Sequence, residues 1–228
     1  MDIVKIFAQY GIIVTDFQKR QFENFYRFLV QENEKYNLTA ITDAEGVAYK
    51  HFLDSALPYQ EFNRGAAVID IGSGAGFPAI PLKILRPDLK FTLVDSLQKR
   101  VNFLTTLVKL LKLDDVEVVH ARAEDFIKGR RESFDYAVAR AVAPLNTLLE
   151  YMVPYLKVGG RCVIYKSQKL EEEIMAAENA LRVLSVKIIA TKEYDLQGAE
   201  RKVLLVEKMK ETDKKYPRGK NQPKQKPL

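Results

Sequence analysis

Two hydrophobic periodicities divide the chain. Up to about residue 60 the apolar positions recur at helical spacing: Phe22, Phe25, Phe28 and Leu29 fall on one face. Thr15 with Gln18 is a capping-box pattern that opens this helix. Thr42 with Glu45 predicts a second start ahead of Val47, Phe52, Leu53 and Leu57, and Pro58 closes that segment. From Ala66 onward, short apolar runs alternate with helix-like stretches. The runs are 66–71, 91–94, 116–119, 136–138 and 162–165; segments such as 81–85 and 96–111 lie between them. Apolar strands separated by helices predict a parallel sheet covered on both faces. Two later β-rich runs, 186–191 and 202–206, lie too close together for a helical crossover and predict an antiparallel hairpin at one edge.

Five parallel-type strands followed by a terminal hairpin resemble the class I S-adenosylmethionine-dependent methyltransferase fold. This is a Rossmann-like α/β architecture with a seven-stranded, mostly parallel sheet. A plain dinucleotide-binding fold would more often continue with another strand–helix unit. The expected organisation is an N-terminal helical segment (1–62), a methyltransferase domain (63–209) and a basic, flexible tail (210–228).

Charge sharpens the reading of the tail. The 228 residues carry a net charge of +6. Residues 208–228 contain eight Lys/Arg and two Asp/Glu, whereas the preceding 207 residues hold 28 of each sign. The whole excess of positive charge therefore lies in a Pro/Lys/Gln-rich, apolar-poor segment, which is expected to be disordered when free and suited to phosphate contacts. No apolar run approaches the ~20 residues that span a bilayer. The N-terminus (Met1, Asp2, Ile3, Val4, Lys5) lacks a basic region followed by an apolar one, so no secretory signal is expected and the location is read as cytoplasmic. The single cysteine, Cys162, sits within an apolar run and is read as a buried thiol. It cannot form an intrachain disulfide, and with His51 and His120 far apart in sequence no metal cluster is expected.

Four stretches carry candidate chemistry. The first is Val68-Ile69-Asp70-Ile71-Gly72-Ser73-Gly74-Ala75-Gly76-Phe77-Pro78, a strand running into a glycine-rich turn and a helix. Glycines let the backbone turn sharply and approach a ligand. The dinucleotide fingerprint places a third small residue where this chain has Phe77, and Pro78 removes one more N–H from the helix start. The turn therefore suits the amino-acid end of S-adenosylmethionine better than a pyrophosphate, with Asp70 near its ammonium. The second, Asp95-Ser96, ends the next strand nineteen positions after Gly76, where a carboxylate can accept from two ribose hydroxyls; capping of the following helix is the alternative. The third, Arg122-Ala123-Glu124, follows the third strand, where methyltransferases read the adenine edge; a solvated loop acid is its alternative. The fourth, Ala139-Arg140-Ala141-Val142-Ala143-Pro144, ends the fourth strand, where acceptors meet the methyl group. Arg140 among small apolar residues is placed to stack on a base or pair with an anion, with an ordinary ion pair as the plainer role.

Taken in order, these stretches resemble one family, ribosomal RNA small subunit methyltransferase G, also called glucose-inhibited division protein B. Further matching pieces are Lys35-Tyr36-Asn37-Leu38-Thr39, His51-Phe52-Leu53-Asp54-Ser55, Leu97-Gln98-Lys99-Arg100 and Lys215-Tyr216-Pro217-Arg218. The resemblance implies methylation of guanine N7 in the decoding-centre loop of 16S rRNA. It implies cofactor contacts at Gly72, Phe77, Asp95, Ser96, Leu97, Ala123, Glu124 and Arg140, beside Asp70, Gly74 and Gly76 of the turn. The partner is then 16S rRNA or the small ribosomal subunit, met by a monomer. RNA contacts are expected from Arg100, Arg122, Lys166, Lys214, Lys215 and Arg218. Arg140 is expected to position the substrate.

The chemistry agrees. Guanine N7 is neutral with an exposed lone pair, so an enzyme acting on it mainly positions the base and needs no general base. No Asn-Pro-Pro-Tyr element follows the fourth strand, as amino-group methylation would favour. Two other readings stand beside this one: a methyltransferase for a small molecule or protein, and a non-catalytic RNA- or ribosome-binding protein on the same scaffold. The basic tail argues against the first, and the intact glycine turn with Asp95 argues against the second. An NAD-dependent oxidoreductase ranks last because of Phe77.

Overall fold

The computed structural model describes residues 2–166 and 169–228. Its N-terminal helices are α1 (Ile3–Ala8), α2 (Asp16–Tyr36), α3 (Ala44–Val47) and α4 (Asp54–Ala56). The capping box of α2 forms as the sequence predicts: Thr15 Oγ1 accepts the Gln18 N–H, and Gln18 Oε1 accepts the Thr15 N–H at 2.9 Å. The second start lies one residue later than expected. Asp43, not Thr42, caps α3, accepting the Gly46 N–H at 2.7 Å. A Cβ at position 46 would stand 2.5 Å from that carboxylate, so the cap depends on the glycine. Between α3 and α4 the chain makes a π-helical turn, Ala48–Leu53, which carries His51. Such turns recur near functional sites.

The sheet comprises β1 (Ala67–Ile71), β2 (Lys90–Asp95), β3 (Val116–His120), β4 (Phe134–Arg140), β5 (Leu156–Lys166), β6 (Val186–Leu196) and β7 (Ala199–Lys208), in the order β3-β2-β1-β4-β5-β7-β6. Strands β1 to β5 are parallel; β7 runs antiparallel between β5 and β6. The predicted hairpin closes through Gln197 and Gly198, both at positive φ, as a two-residue hairpin turn requires. The intervening helices are α5 (Ala79–Leu85), α6 (Gln98–Leu110), α7 (Ala123–Phe126), α8 (Leu145–Met152), α9 (Leu170–Ala176) and α10 (Glu178–Val183). Among the described residues, no helix is long and apolar enough to cross a membrane.

Because side chains alternate along a strand, the sheet feeds two cores. Val68, Leu93, Val138 and Val163 pack with Phe22, Phe25 and Phe52 of the N-terminal helices and with Leu104 and Leu107 of α6. Ile69, Val94, Ala137, Cys162 and Ile164 pack on the other face with Leu148, Leu149 and Met152 of α8. The N-terminal segment thus shares its core with the sheet instead of burying one of its own. Cys162 is fully buried, and burial pushes its thiol up to about 12.

The tail corrects an expectation. Residues 210–228 were expected to be flexible, yet they fold back along α8 and end in a short helix, α11 (Gln222–Gln225). The Arg131 side chain donates to the carbonyls of Thr212, Lys214 and Tyr216. Glu150, on α8 and fully buried, accepts the Arg218 backbone N–H at 2.8 Å and pairs with its guanidinium at 2.6 Å. Just before the tail, buried Lys208 pairs with Glu132 at 2.7 Å. The Thr147 hydroxyl donates to the Pro223 carbonyl at 3.1 Å. Composition alone read these cations as solvated, but a buried charge needs a compensating partner: buried Glu150 takes Arg218, and buried Lys208 takes Glu132. Arg218 is therefore an internal partner of Glu150 and not an open phosphate contact.

Removing one member of a buried pair leaves the other charge uncompensated. Arg218→Ala is expected to cost about 3 kcal/mol in urea unfolding. Lys214→Ala, at an exposed tail position, should stay within about 0.5 kcal/mol of the parent.

Candidate functional site

In open α/β sheets, ligands bind beyond the carboxyl ends of the strands where strand order reverses. Here that point lies between β1 and β4, whose neighbours β2 and β5 lie on opposite sides. Two cavities meet there. One, of about 530 Å³, is lined by Gly72, Asp95, Ser96, Ala123, Glu124 and Val142, among others. The other, of about 480 Å³, is lined by Asp54, Arg140, Val142, Tyr165, Lys166 and Arg201, among others. Residues 141–143 line both and form the partition. Ala141 holds φ +56°, a left-handed conformation that a non-glycine residue adopts at some cost and that clusters at functional sites.

The first cavity is built by the glycine turn and its neighbours. Gly72 and Ser73 donate their N–H groups to the Val94 carbonyl, fastening the turn to the end of β2. Gly72 sits at φ +74°, and a Cβ there would stand 2.9 Å from Val142, so only glycine lets the partition come this close. Asp95, 2 % exposed, accepts the N–H groups of Gly74 and Leu97, both at 2.9 Å, and faces Arg100 at 3.5 Å. Asp70 lies beneath the turn, fully buried, and neither of its carboxylate oxygens has a hydrogen-bond partner. Desolvation raises its pKa well above the usual range. Burial thus favours its neutral form, and a cation placed nearby would restore the charged one. Glu124, at the start of α7, accepts the Asn221 N–H at 3.2 Å.

The second cavity is organised around Arg140. Its guanidinium donates to Asp54 Oδ2 at 2.8 Å and to the Lys50 carbonyl at 3.2 Å, and lies 3.3 Å from His51 Nδ1. It also sits 4.8 Å above the Phe77 ring. Asp54 Oδ1 meets Arg201 of β7 at 3.4 Å. Burial raises the Asp54 pKa, and Arg140 opposes that shift. The Tyr165 hydroxyl donates to the Ser55 carbonyl at 2.6 Å.

The sequence-predicted residues divide accordingly. Gly72, Asp95, Ser96, Ala123 and Glu124 line the first cavity. Asp70, Gly74 and Gly76 do not line it; they shape the turn beneath. Gly76, at φ +90°, lacks room for a Cβ because Ile80 would lie 2.8 Å away. Leu97 caps α6 and is 43 % exposed outside the cavity. Phe77 packs on Phe25 and His51, at 5.2 and 4.7 Å between ring centroids, and supports Arg140. Arg140 lines the second cavity, not the first.

The expected RNA contacts scatter. Lys166 is bonded to Glu173 at 2.5 Å and to the Ala143 carbonyl, so it braces the partition instead of meeting phosphate. Arg100 faces the first cavity and Asp95. Arg122, Lys214 and Lys215 are exposed, although Lys215 pairs with Asp213 at 3.2 Å. Sequence reasoning missed Asp54 and Arg201 as site residues, together with Tyr151, Asn221 and Lys224 in the first cavity. Asp54 stood within a matched motif and carried that signal; Asn221 and Lys224 follow shortly after the matched Lys215-Tyr216-Pro217-Arg218 stretch, but nothing in the spacing brought them to the cleft, and Tyr151 and Arg201 lie outside every matched motif.

The family described as rRNA small subunit methyltransferase G matches residues 18–204. The chain is 47% identical over 230 residues to the ribosomal RNA small subunit methyltransferase G of Streptococcus agalactiae serotype V, covering 98% of this chain and 97% of that one. It is 47% identical over 225 residues to the protein of the same name from Staphylococcus aureus (strain Newman), covering 96% and 94%. Among solved structures, M. jannaschii TYW2 in complex with AdoMet superposes with a TM-score of 0.59 at 18% identity, over 75% of this chain and 80% of that one. TrmN from Thermus thermophilus gives 0.51 at 17% identity, over 71% and 53%. These two likenesses establish the Rossmann-like methyltransferase fold. By its near full-length identity to these relatives and the match across its motifs, the chain belongs to the rRNA small subunit methyltransferase G family.

Proposed function

We propose that the first cavity holds S-adenosylmethionine, that the second admits a guanine of 16S rRNA, and that guanine N7 would take the methyl group directly where the two cavities meet beside residues 141–143, leaving S-adenosylhomocysteine in the first. The chain is an S-adenosylmethionine-dependent rRNA methyltransferase. The observation that carries the assignment of the two cavities is their meeting at the switch point, divided only by the partition over Gly72. The residues fit the cofactor. Unpartnered Asp70 beneath the turn suits the ammonium, Asp95 the ribose hydroxyls and Glu124 the adenine amino group. When bound, the cofactor supplies an electrophilic methyl group.

The acceptor pocket positions and does not abstract protons. Desolvation puts the Tyr165 hydroxyl well above its ordinary pKa, and the hydroxyl is committed to Ser55. Asp54 is engaged by two arginines. His51 is held between Thr39, at 2.7 Å, and Arg140. None is available as a general base, and guanine N7 asks for none. Arg140, fixed by Asp54 and Phe77, offers a planar donor surface for stacking or for O6. Exposed Arg122, Lys214 and Lys215 supply charge for the RNA backbone. The enzyme acts as a cytoplasmic monomer in this reading.

Three outcomes follow. Isothermal titration should show micromolar binding of S-adenosylhomocysteine and none of NAD; the reverse would overturn the cofactor assignment. Arg140→Lys keeps the charge beside Asp54 but loses the planar fork. Methyl transfer to 16S rRNA should drop about 100-fold, a loss of roughly 3 kcal/mol in transition-state stabilisation, while unfolding stability moves by about 1 kcal/mol or less; comparable losses in both would make Arg140 structural. Finally, burial and then Arg140 lower the His51 pKa from 6.5 to about 4. A depressed pKa means stability present above 6.5 and lost as pH falls toward 4. The advantage of the parent over His51→Gln should shrink across that window by on the order of 2 kcal/mol, and a pH-independent difference would remove the assignment.

A further inference from the structure

The first cavity has a side that no family motif explains. The glycine turn, the end of β2, the start of α7 and the partition enclose it from the sheet. Beyond α8, where Thr147 and Tyr151 face the cavity, the remaining lining comes from Asn221 and Lys224. These residues lie seventy or more positions from Tyr151 in sequence and reach the cleft only because the tail is fastened to α8.

The fastening is extensive. Arg218 grips fully buried Glu150 through its backbone N–H and its guanidinium. Pro223 is buried, and its carbonyl takes the Thr147 hydroxyl. Between these anchors Asn221 adopts a left-handed conformation, φ +59°, which asparagine tolerates better than most side chains. That turn directs its N–H to Glu124 Oε1 and brings its side-chain oxygen to 3.5 Å from the Tyr151 hydroxyl. Lys224, one turn on, is exposed and at the rim. The strap therefore touches the same carboxylate that is assigned to the adenine amino group.

We propose that residues 218–224 form a fourth wall of the cofactor cleft, with Asn221 and Lys224 binding the adenosyl end and Arg218 as the positioning residue that holds the strap. This rests on the reading that the first cavity takes S-adenosylmethionine. The chemistry is complementary. Adenine presents ring nitrogens that accept hydrogen bonds beside an amino group that donates. Glu124 can only accept, whereas the Lys224 ammonium donates and the Asn221 amide does both. The tail's positive charge then serves the small ligand as well as RNA.

The test uses full-length protein and S-adenosylhomocysteine as the probe. Asn221→Gly keeps the left-handed backbone and its N–H to Glu124 while removing the side chain; Lys224→Ala removes the ammonium. The double variant should bind the probe about tenfold more weakly by titration calorimetry, equivalent to ~1.4 kcal/mol. Its ligand-free Tm should match the parent's. The KM for S-adenosylmethionine should rise in step, with kcat within about twofold, the pattern of lost uniform binding. In the parent, amide hydrogen exchange across 219–226 should slow when the probe is added. Unchanged affinity in the double variant, or exchange in the strap indifferent to the probe, would overturn the fourth wall while leaving the cofactor reading intact. A parent protein that ignores the probe would overturn both.

Discussion

The Arg140 guanidinium joins three parts of the molecule that share no sequence neighbourhood. It ends β4, pairs with Asp54 of α4 and rests on Phe77 of the glycine turn. Cations over aromatic faces and charge-assisted pairs are each stronger where water is excluded, and here both act on one group. The consequence is geometric. The N-terminal helices are tied to the mouth of the sheet by the same side chain that lines the second cavity, so the position of that cavity depends on packing among Phe22, Phe25, Phe52 and Phe77. Phe77 is the residue that departs from the dinucleotide fingerprint. Where that fingerprint keeps a small residue for close helix–strand packing, this chain uses a ring to carry an arginine.

Two cavities of similar size with a strained partition between them make a division of labour that needs little acid–base machinery. The Asp70 carboxylate is left without a partner while Asp54 has two. The contrast separates a buried acid without a partner from a site whose charges are already balanced. On this view the protein contributes shape, electrostatic preorganisation and exclusion of water, and the reactivity resides in the ligands.

Much of this was legible in the sequence. Apolar runs and the absence of a crossover before the last strands gave the sheet and its hairpin, because these depend on local periodicity. That the glycine turn, Asp95 and Glu124 would gather around one cavity was legible because each lies at or just after a strand end. Three things were not legible. Glu150 lies on a helix where nothing marks it as buried, so its demand for Arg218 was invisible and the tail read as loose. Lys166 ends a strand beside the site, yet its bond to Glu173 depends on how α9 returns. Arg201 meets Asp54 only because β7 inserts between β5 and β6, and strand order is a long-range property that residue spacing does not encode.

The lone thiol of Cys162 sits in β5 at the heart of the sheet, flanked by β4 and β7. Its high pKa and lack of exposure make it inert to alkylating reagents in the native fold. Reagent reaches it only when those three strands part. The chain thus carries its own clock for sub-global opening: the rate at which iodoacetamide consumes this one sulfur reports how often the middle of the sheet breathes.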